Sequence, residues 1–209
     1  MQTVTRRRTN YLIVAGAVAS VAGVSRLVRA QGSLSIAQAM QFVHQSGDRL
    51  LATLNGSSDW DEKKRQVQAL ISETIDIYGI ARFALGRFWN AVSNEERDKF
   101  VRFFPVVLLG AIGRSLGTYQ RMNFTVDRGA QADDCVQVWT TVLRAGDSPR
   151  QVGWTIGAIG GAIKIVDIIA EGSSLRITQR NICTSFLAQN NHSIPALIEM
   201  LRWQAEAMS

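Results

Sequence analysis

The stretch QVGWTIGAIGGAIKIVDIIA, residues 151–170, indicates the fold of this chain more clearly than any other. Its first residues alternate in polarity, so that Val152, Trp154 and Ile156 would share one face of a strand. Gly160-Gly161 is a two-residue turn signal, and the apolar run after it predicts a returning strand. Short hairpin links of this kind favour an antiparallel sheet.

The neighbouring segments extend this sheet and place helices around it. MNFTVDR (122–128) alternates in polarity, and CVQVWTTVLR (135–144) is apolar on both faces, so each predicts a strand. Helical periodicity dominates before residue 120, and two helices are predicted at the end of the chain, over about 175–189 and from near Ser193. Helix block, strand block and helix block together are typical of an α+β domain. We expect helices packed on a curved antiparallel sheet of about four to five strands.

The helix that precedes the sheet is unusual in its polarity. Ser93 followed by Glu96 predicts a capping box at its start, and the segment from Phe100 to Ile112 is apolar on nearly every side. A helix of this kind is buried all round, or it faces something apolar other than its own core. Pro105 is expected to kink it. Two interpretations stay open, a central core helix and a helix that lines a cavity.

The first thirty residues have the pattern of an export signal. Arg6, Arg7 and Arg8 precede an apolar stretch over residues 11–24, and Ala30 is a small residue at a cleavage edge. We expect a signal peptide over residues 1–30, of twin-arginine type with Sec export left open, and a single periplasmic domain over 31–209. The signal holds five arginines and no acidic residue, so the mature chain, with 18 basic and 17 acidic residues, is nearly neutral. Nucleic-acid binding thereby loses its main support.

A strand, a Gly-x-Ser turn and a helix at residues 168–180 resemble the layout of a hydrolase nucleophile elbow. That elbow requires a second glycine where Arg176 stands, and a histidine base. His44 and His192, the histidines of the chain, lie in no catalytic motif. Gly172 and Ser174 are therefore predicted to form a structural turn, with Ser174 capping the following helix.

No other catalytic or metal-binding pattern stands out, and no cofactor is expected. Cys135 and Cys183 could form a disulfide or remain free thiols, since spacing alone does not decide their geometry. Asp167 and Glu171 are predicted to share a strand face with Ile165. One of these carboxylates could point into a cavity, although a salt bridge at the sheet edge is the commoner outcome.

Two segments resemble the MlaC (toluene-tolerance) family of periplasmic phospholipid-binding proteins. GAIKIVDIIAEGSSLRITQR (161–180) is similar to the family's C-terminal signature, and RFALGRFWNAVSNEERDKFVRFF (82–104) to an N-terminal one. The chain differs at Ile163, where the family usually has Trp, and at Cys183, where Phe is common. The residues that match are Leu85, Gly86, Trp89, Ser93, Phe100, Phe104, Gly161, Lys164, Asp167, Glu171, Gly172, Ser174, Leu175 and Arg180.

The resemblance implies a monomeric lipid carrier rather than an enzyme, with phospholipid as its cargo. It implies two partners, a membrane-bound lipid-transfer component of an ABC transporter and an outer-membrane lipoprotein complex. Acyl chains would lie in an apolar cavity between the helices and the sheet, and Leu108→Asp or Ile156→Asp would abolish lipid loading in a folded protein. The expected lining is Phe83, Phe104, Leu108, Ile112, Leu116, Tyr119, Trp139, Trp154, Ile156, Ile165 and Leu175.

Two other classes of function remain as alternatives. One is a secreted enzyme on a similar cone-shaped fold, since a fold does not fix a function. The other is an interaction protein of the cell envelope that holds no lipid. Stoichiometric phospholipid in the purified protein would separate the carrier from both.

Overall fold

The computed structural model describes residues 34–116, 122–144 and 146–207. The predicted signal peptide over residues 1–30 lies outside the described residues. A short 3₁₀ helix (Gly86–Asn90) joins the third and fourth helices. The elements are α1 (Ile36–Asn55), α2 (Trp60–Thr74), α3 (Ile77–Leu85), α4 (Asn94–Leu116), β1 (Met122–Ala132), β2 (Cys135–Arg144), β3 (Arg150–Ile159), β4 (Ala162–Ala170), β5 (Ser173–Ser174), α5 (Leu175–Gln189) and α6 (Ile194–Glu206).

Side-chain caps define where the long helices begin. The Ser93 hydroxyl accepts a hydrogen bond from the Glu96 amide at 3.2 Å, and the Glu96 carboxylate accepts one from the Ser93 amide at 2.9 Å. The predicted capping box is therefore confirmed. From this start α4 continues through Pro105 to Leu116. No helix in the described part of the chain is both long enough and apolar enough to cross a membrane.

The five strands form one antiparallel sheet in the order β1-β2-β3-β4-β5. The predicted hairpin between β3 and β4 is confirmed, with Gly160 at φ 58° and Gly161 at φ 83°. Positive φ at both central residues is the requirement of the tightest hairpin turns, which glycine meets without steric cost. The predicted α+β class is thus confirmed, since the described residues form six α-helices and a five-stranded sheet.

Alternation gives the sheet two different faces. We call the face that carries Val138, Thr140 and Trp154 the inner face, because Val138 and Thr140 are buried there. The Trp154 indole Nε1 donates a hydrogen bond to the Thr140 hydroxyl at 2.9 Å. On the opposite, outer face the Thr155 hydroxyl donates to the Gln137 side-chain oxygen at 3.0 Å.

A β-bulge in β4 changes which residues share a face. Ile156 of β3 is paired with Ile165, whereas the adjacent Thr155 is paired with Asp167, so Val166 is an extra residue. An extra residue resets the alternation of a strand. The prediction that Asp167 shares a face with Ile165 is therefore wrong, since Ile165 lies on the inner face and Asp167 on the outer one.

The core is one hydrophobic cluster to which α4, several other helices and the inner face of the sheet all contribute. Phe100 stacks on Phe104 with ring centroids 5.3 Å apart. Phe104 and Leu108 are at most 1% exposed and belong to the same hydrophobic cluster as Val138 and Ile156. We call these side chains of α4 and of the inner sheet face the apolar layer.

Candidate functional site

Most residues predicted to line an acyl cavity lie in or against the apolar layer. Several are fully buried in one contiguous cluster, and the others are half-buried and pack on it. The structure thereby brings together residues from α4, two strands and the start of α5. The buried group is Phe104, Leu108, Ile156 and Ile165, and the half-buried group is Ile112, Trp154 and Leu175.

Two of the predicted lining residues lie elsewhere. Trp139 is on the outer face, where the guanidinium carbon of Arg128 is 5.5 Å from its ring centroid. Phe83 lines a cavity beside α3 and is not part of the apolar layer. Tyr119 and the side chain of Leu116 fall outside the described residues.

The middle of α4 is apolar on sides that the protein buries only in part. Val106 is 36% exposed, and the flanking Phe103, Val107 and Leu109 are half-buried. Their exposure contrasts with that of Leu108, which is 0%. The helix is thus a core helix on one side and offers further apolar surface on the others.

Ser174 begins α5 and accepts a hydrogen bond from the Ile177 amide at 3.2 Å. Its hydroxyl donates to the Asp167 carboxylate at 2.6 Å, so its proton is directed at an acid and not at a histidine. His44 instead pairs with Asp48, with Nδ1 and Oδ2 2.8 Å apart. The described residues around Ser174 therefore do not assemble a serine–histidine pair.

Asp167 is the anchor of this junction. Its carboxylate is buried and accepts hydrogen bonds from the Ile168 amide at 2.9 Å and the Arg176 amide at 3.1 Å, besides the Ser174 hydroxyl. The Arg176 Nε lies 3.5 Å from Asp167 Oδ2, an ionic contact without hydrogen-bond geometry. Asp167 thus fixes both the first turn of α5 and the direction of the Arg176 side chain.

A cavity of about 520 Å³ lies beside this junction, between α3, the 3₁₀ helix, α5 and the sheet. We call it the arginine cavity, because three guanidinium groups line it together with two aromatic rings and a thiol. The residues concerned are Arg82, Phe83, Trp89, Cys135, Arg176 and Arg180.

Two of these arginines lie over the same aromatic ring. The guanidinium carbons of Arg176 and Arg180 lie 4.9 Å and 5.0 Å from the centroid of Phe83. Gly86 allows the second contact, since a Cβ at that position would lie 3.3 Å from the guanidinium carbon of Arg180. Its φ of 57° also favours glycine. Backbone and ring together hold the Arg180 guanidinium at the cavity wall.

Sequence reasoning did not identify this arginine cluster. A usable signal was present, since Arg176 and Arg180 stand four residues apart on a helix with no acidic residue in its first turn. Side chains at that spacing lie on one helix face. Their meeting with Phe83 and Gly86 depends on the packing of α3 against α5, which no local pattern reveals.

Both cysteines are free thiols in the structure. Burial raises the pKa of Cys183 to about 12. Burial also raises the pKa of Cys135 from its ordinary value, and the nearby positive charge of Arg176 acts in the opposite direction. Within the residues that the structure describes, no group of His, Cys, Asp or Glu could hold a metal ion.

Comparison with known proteins identifies the family. No curated protein sequence matches the chain. A phospholipid-binding protein from Ralstonia solanacearum, solved in complex with a phospholipid, has the same fold, with a TM-score of 0.71 at 23% identity over 81% of this chain and 98% of that one. The family described as MlaC protein matches residues 44–203, which is most of the sequence. The chain therefore belongs to the MlaC family.

Proposed function

We propose that this protein is a periplasmic carrier that holds the acyl chains of a phospholipid in its apolar layer. The observation in this chain that carries the proposal is α4, whose apolar side chains continue onto half-buried sides of the helix. Membership of the MlaC family supports the proposal, as does the phospholipid bound to the Ralstonia solanacearum protein of the same fold.

The energetics of lipid transfer determine how such a carrier would work. Burying one CH₂ group away from water is favourable by about 0.8 kcal/mol. Moving two acyl chains of ordinary length from an apolar environment into water therefore costs roughly 25 kcal/mol. Non-covalent affinities level off near about −20 kcal/mol, so free lipid in water is a negligible source of cargo. The carrier would therefore dock on a donor and exchange one apolar environment for another at nearly equal free energy.

The acyl chains would lie between α4 and the inner face of the sheet. Ile112 on α4 and Trp154 on β3 are both half-buried and pack against the hydrophobic core cluster. Trp154 is held by its hydrogen bond to Thr140, which would keep one wall rigid. The polar head group would remain outside, because an unpaired charge in an apolar layer is costly.

The route of the cargo is also part of the proposal. Residues 1–30 would direct export and be removed near Ala30, which N-terminal sequencing of protein from the periplasmic fraction would test. The donor and acceptor would be a membrane-bound lipid-transfer component of an ABC transporter and an outer-membrane lipoprotein complex. Membership of the MlaC family supports this assignment.

Mass spectrometry of lipid extracted from the purified protein tests the carrier function. We expect phospholipid in near-stoichiometric amount from the natural sequence, and little from Ile112→Glu, because the new carboxylate would lie in the acyl space. Arg102→Glu is the matched control, since Arg102 is on the same helix, exposed and not part of its apolar surface. Leu108→Asp and Ile156→Asp suit this test less well than the sequence suggested, because both side chains are 0% exposed.

The outcomes separate the possible functions. If Ile112→Glu folds and keeps its full lipid content, α4 does not line the acyl-chain site. If Ile112→Glu does not fold, Ile112→Trp fills the same space without a charge and is expected to reduce the lipid content. Absence of phospholipid from the natural protein, combined with hydrolysis of an added lipid ester, would favour an enzyme.

A further inference from the structure

We propose that the arginine cavity is a second ligand site, which binds the phosphate group of a phosphorylated small molecule or of a lipid head group. Arg176 and Arg180 would contact the phosphate directly, with Arg82 contributing a further guanidinium at the cavity wall. This inference stands on the geometry of the cavity and does not depend on the apolar layer holding acyl chains.

The cavity has an excess of positive charge. Three arginines line it together with the carboxylate of Asp76, and Arg176 is also in ionic contact with the carboxylate of Asp167 at 3.5 Å. Asp76 already accepts a hydrogen bond from the Gly79 amide at 3.0 Å, as the cap of α3. Arg82 and Arg180 form no ion pair within the described part of the chain. An anion in the cavity would therefore meet the uncompensated charges of Arg82 and Arg180, beside an Arg176 that already contacts Asp167.

The two guanidinium groups on Phe83 repel each other when the cavity holds no anion. Each guanidinium carbon is within 5.0 Å of the same ring centroid, so the two are at most about 10 Å apart. At that upper limit, which exceeds the screening length of physiological salt of about 8 Å, the repulsion is largely screened. A bound anion would reverse the sign of this interaction.

The side chains are held in place before any ligand binds. Asp167 contacts Arg176 at 3.5 Å, and both guanidinium groups lie over the ring of Phe83, at 4.9 Å and 5.0 Å from its centroid. An arginine that lies over an aromatic ring still has its N–H groups directed outward at its edges. The Arg176 Nε is buried and makes no hydrogen bond among the described residues, although Asp167 Oδ2 lies 3.5 Å away, and such a buried donor is uncommon.

Phosphate fits this arrangement better than carboxylate does. A single arginine fork satisfies the two oxygens of a carboxylate, whereas a phosphate group has further oxygens for a second and third guanidinium. Phe83 and Trp89 add aromatic surface for an esterified organic group. The volume of about 520 Å³ is that of a site for a small organic molecule, rather than for a bare ion.

Cys135 provides a reporter inside the cavity. The chain has two cysteines, and Cys183 is buried with a pKa of about 12, so alkylation at about pH 8.5 should modify Cys135 alone. The rate is measured by intact mass spectrometry with glycerol 3-phosphate, inorganic phosphate, a short-chain phosphatidylglycerol or acetate, at equal ionic strength. Glycerol 3-phosphate at ten times its Kd should slow the reaction about tenfold.

Variants assign the effect to the arginines. Arg176→Gln and Arg180→Gln should each remove the protection of Cys135 while the protein keeps its fold by circular dichroism. Arg87→Gln is the matched control, because Arg87 also lies over a phenylalanine ring, at 5.0 Å from Phe88, but does not line the cavity. If Arg180→Gln does not fold, Arg180→Lys keeps the charge without the fork and should weaken the protection.

Each outcome decides the proposal. Protection by glycerol 3-phosphate or inorganic phosphate supports a soluble phosphate ligand, and protection by the short-chain phospholipid alone supports a lipid head group. Equal protection by acetate, or none by any phosphate compound, overturns the proposal, as does full protection in a folded Arg176→Gln, Arg180→Gln double variant. The phospholipid content of the same preparations is a separate readout for the carrier function.

Discussion

The apolar layer and the arginine cavity border the same strands but are assembled by different forces. The layer is stabilised by nonpolar contacts, which have no preferred direction, among side chains such as Phe104, Leu108 and Ile156. The arginine cavity depends on directed contacts, from Ser174 to Asp167, from Asp167 to Arg176 and from Arg176 to Phe83. The nonpolar packing of the layer tolerates the replacement of one apolar side chain by another. Each contact in the arginine cavity, by contrast, needs a particular atom at a particular distance.

The largest loss of stability is expected at a completely buried position of the apolar layer. Leu108→Asp places a charge at a position with 0% exposure, and we expect it to lower the free energy of unfolding by more than about 4 kcal/mol. Val106→Asp, two residues away and 36% exposed, should cost less than about 1 kcal/mol. Urea unfolding followed by circular dichroism gives both values, and equal costs would mean that α4 has no buried side.

The next effect concerns the anchor of the arginine cavity. Asp167→Ala leaves the Ser174 hydroxyl and the Arg176 amide without their acceptor, and should cost about 3 kcal/mol. The control is Glu171→Ala, since Glu171 is 71% exposed and, among the described residues, paired with Arg150 alone, so the loss should be below about 1 kcal/mol. Similar losses in the two variants, measured by urea unfolding, would contradict the role of Asp167 as the anchor.

A smaller difference in stability is expected between variants of two helix caps. Ser174→Ala removes the cap of α5 and also the hydrogen bond to Asp167, so we expect a loss of about 1–2 kcal/mol. Ser193→Ala removes a cap of α6 that accepts only from the Ala196 amide, and should cost about 1 kcal/mol. The difference in melting temperature between the variants measures the link to Asp167, and no difference would show that the link contributes nothing.

The smallest effect is a dependence on pH that distinguishes the two thiols. Burial raises the pKa of Cys183 from 9.0 to about 12, so the folded protein keeps a proton that the unfolded chain loses. This contribution to stability is complete below about pH 9 and is lost as the pH rises towards 12, which amounts to about 1 kcal/mol at pH 10. Cys183→Ala should therefore lose less stability than the natural protein between pH 7 and pH 10, while Cys135→Ala should follow the natural protein more closely.

Local signals predicted the elements of the fold well. The bounds predicted for β2, β4 and α5 are those observed, because Gly160-Gly161, Ser174 and the alternation of the strands act over a few residues. The face of a residue was harder to predict. Trp139 and Phe83 are as apolar as the layer residues, yet they lie against arginine side chains outside it. Hydrophobicity predicts that a side chain is buried, but the packing of elements far apart in the sequence decides which residues it contacts.

The sequence could not reveal the arginine cavity for a related reason. Its residues come from α3, the 3₁₀ helix, β2 and α5, which are far apart along the chain. Each arginine alone resembles a solvated charge on a helix, which is the usual role of such a residue. Only the convergence of these elements distinguishes the cluster from an ordinary charged surface.

The bulge at Val166 has a consequence for how β4 tolerates change. Because of this one extra residue, Ile165 belongs to the layer while Asp167 belongs to the outer face, two positions later. Replacing Val166 by another apolar residue would leave this arrangement in place. Deleting it would restore regular alternation and turn one of the two neighbours to the wrong face. In this strand the number of residues is therefore under a stricter constraint than the identity of the residue that forms the bulge.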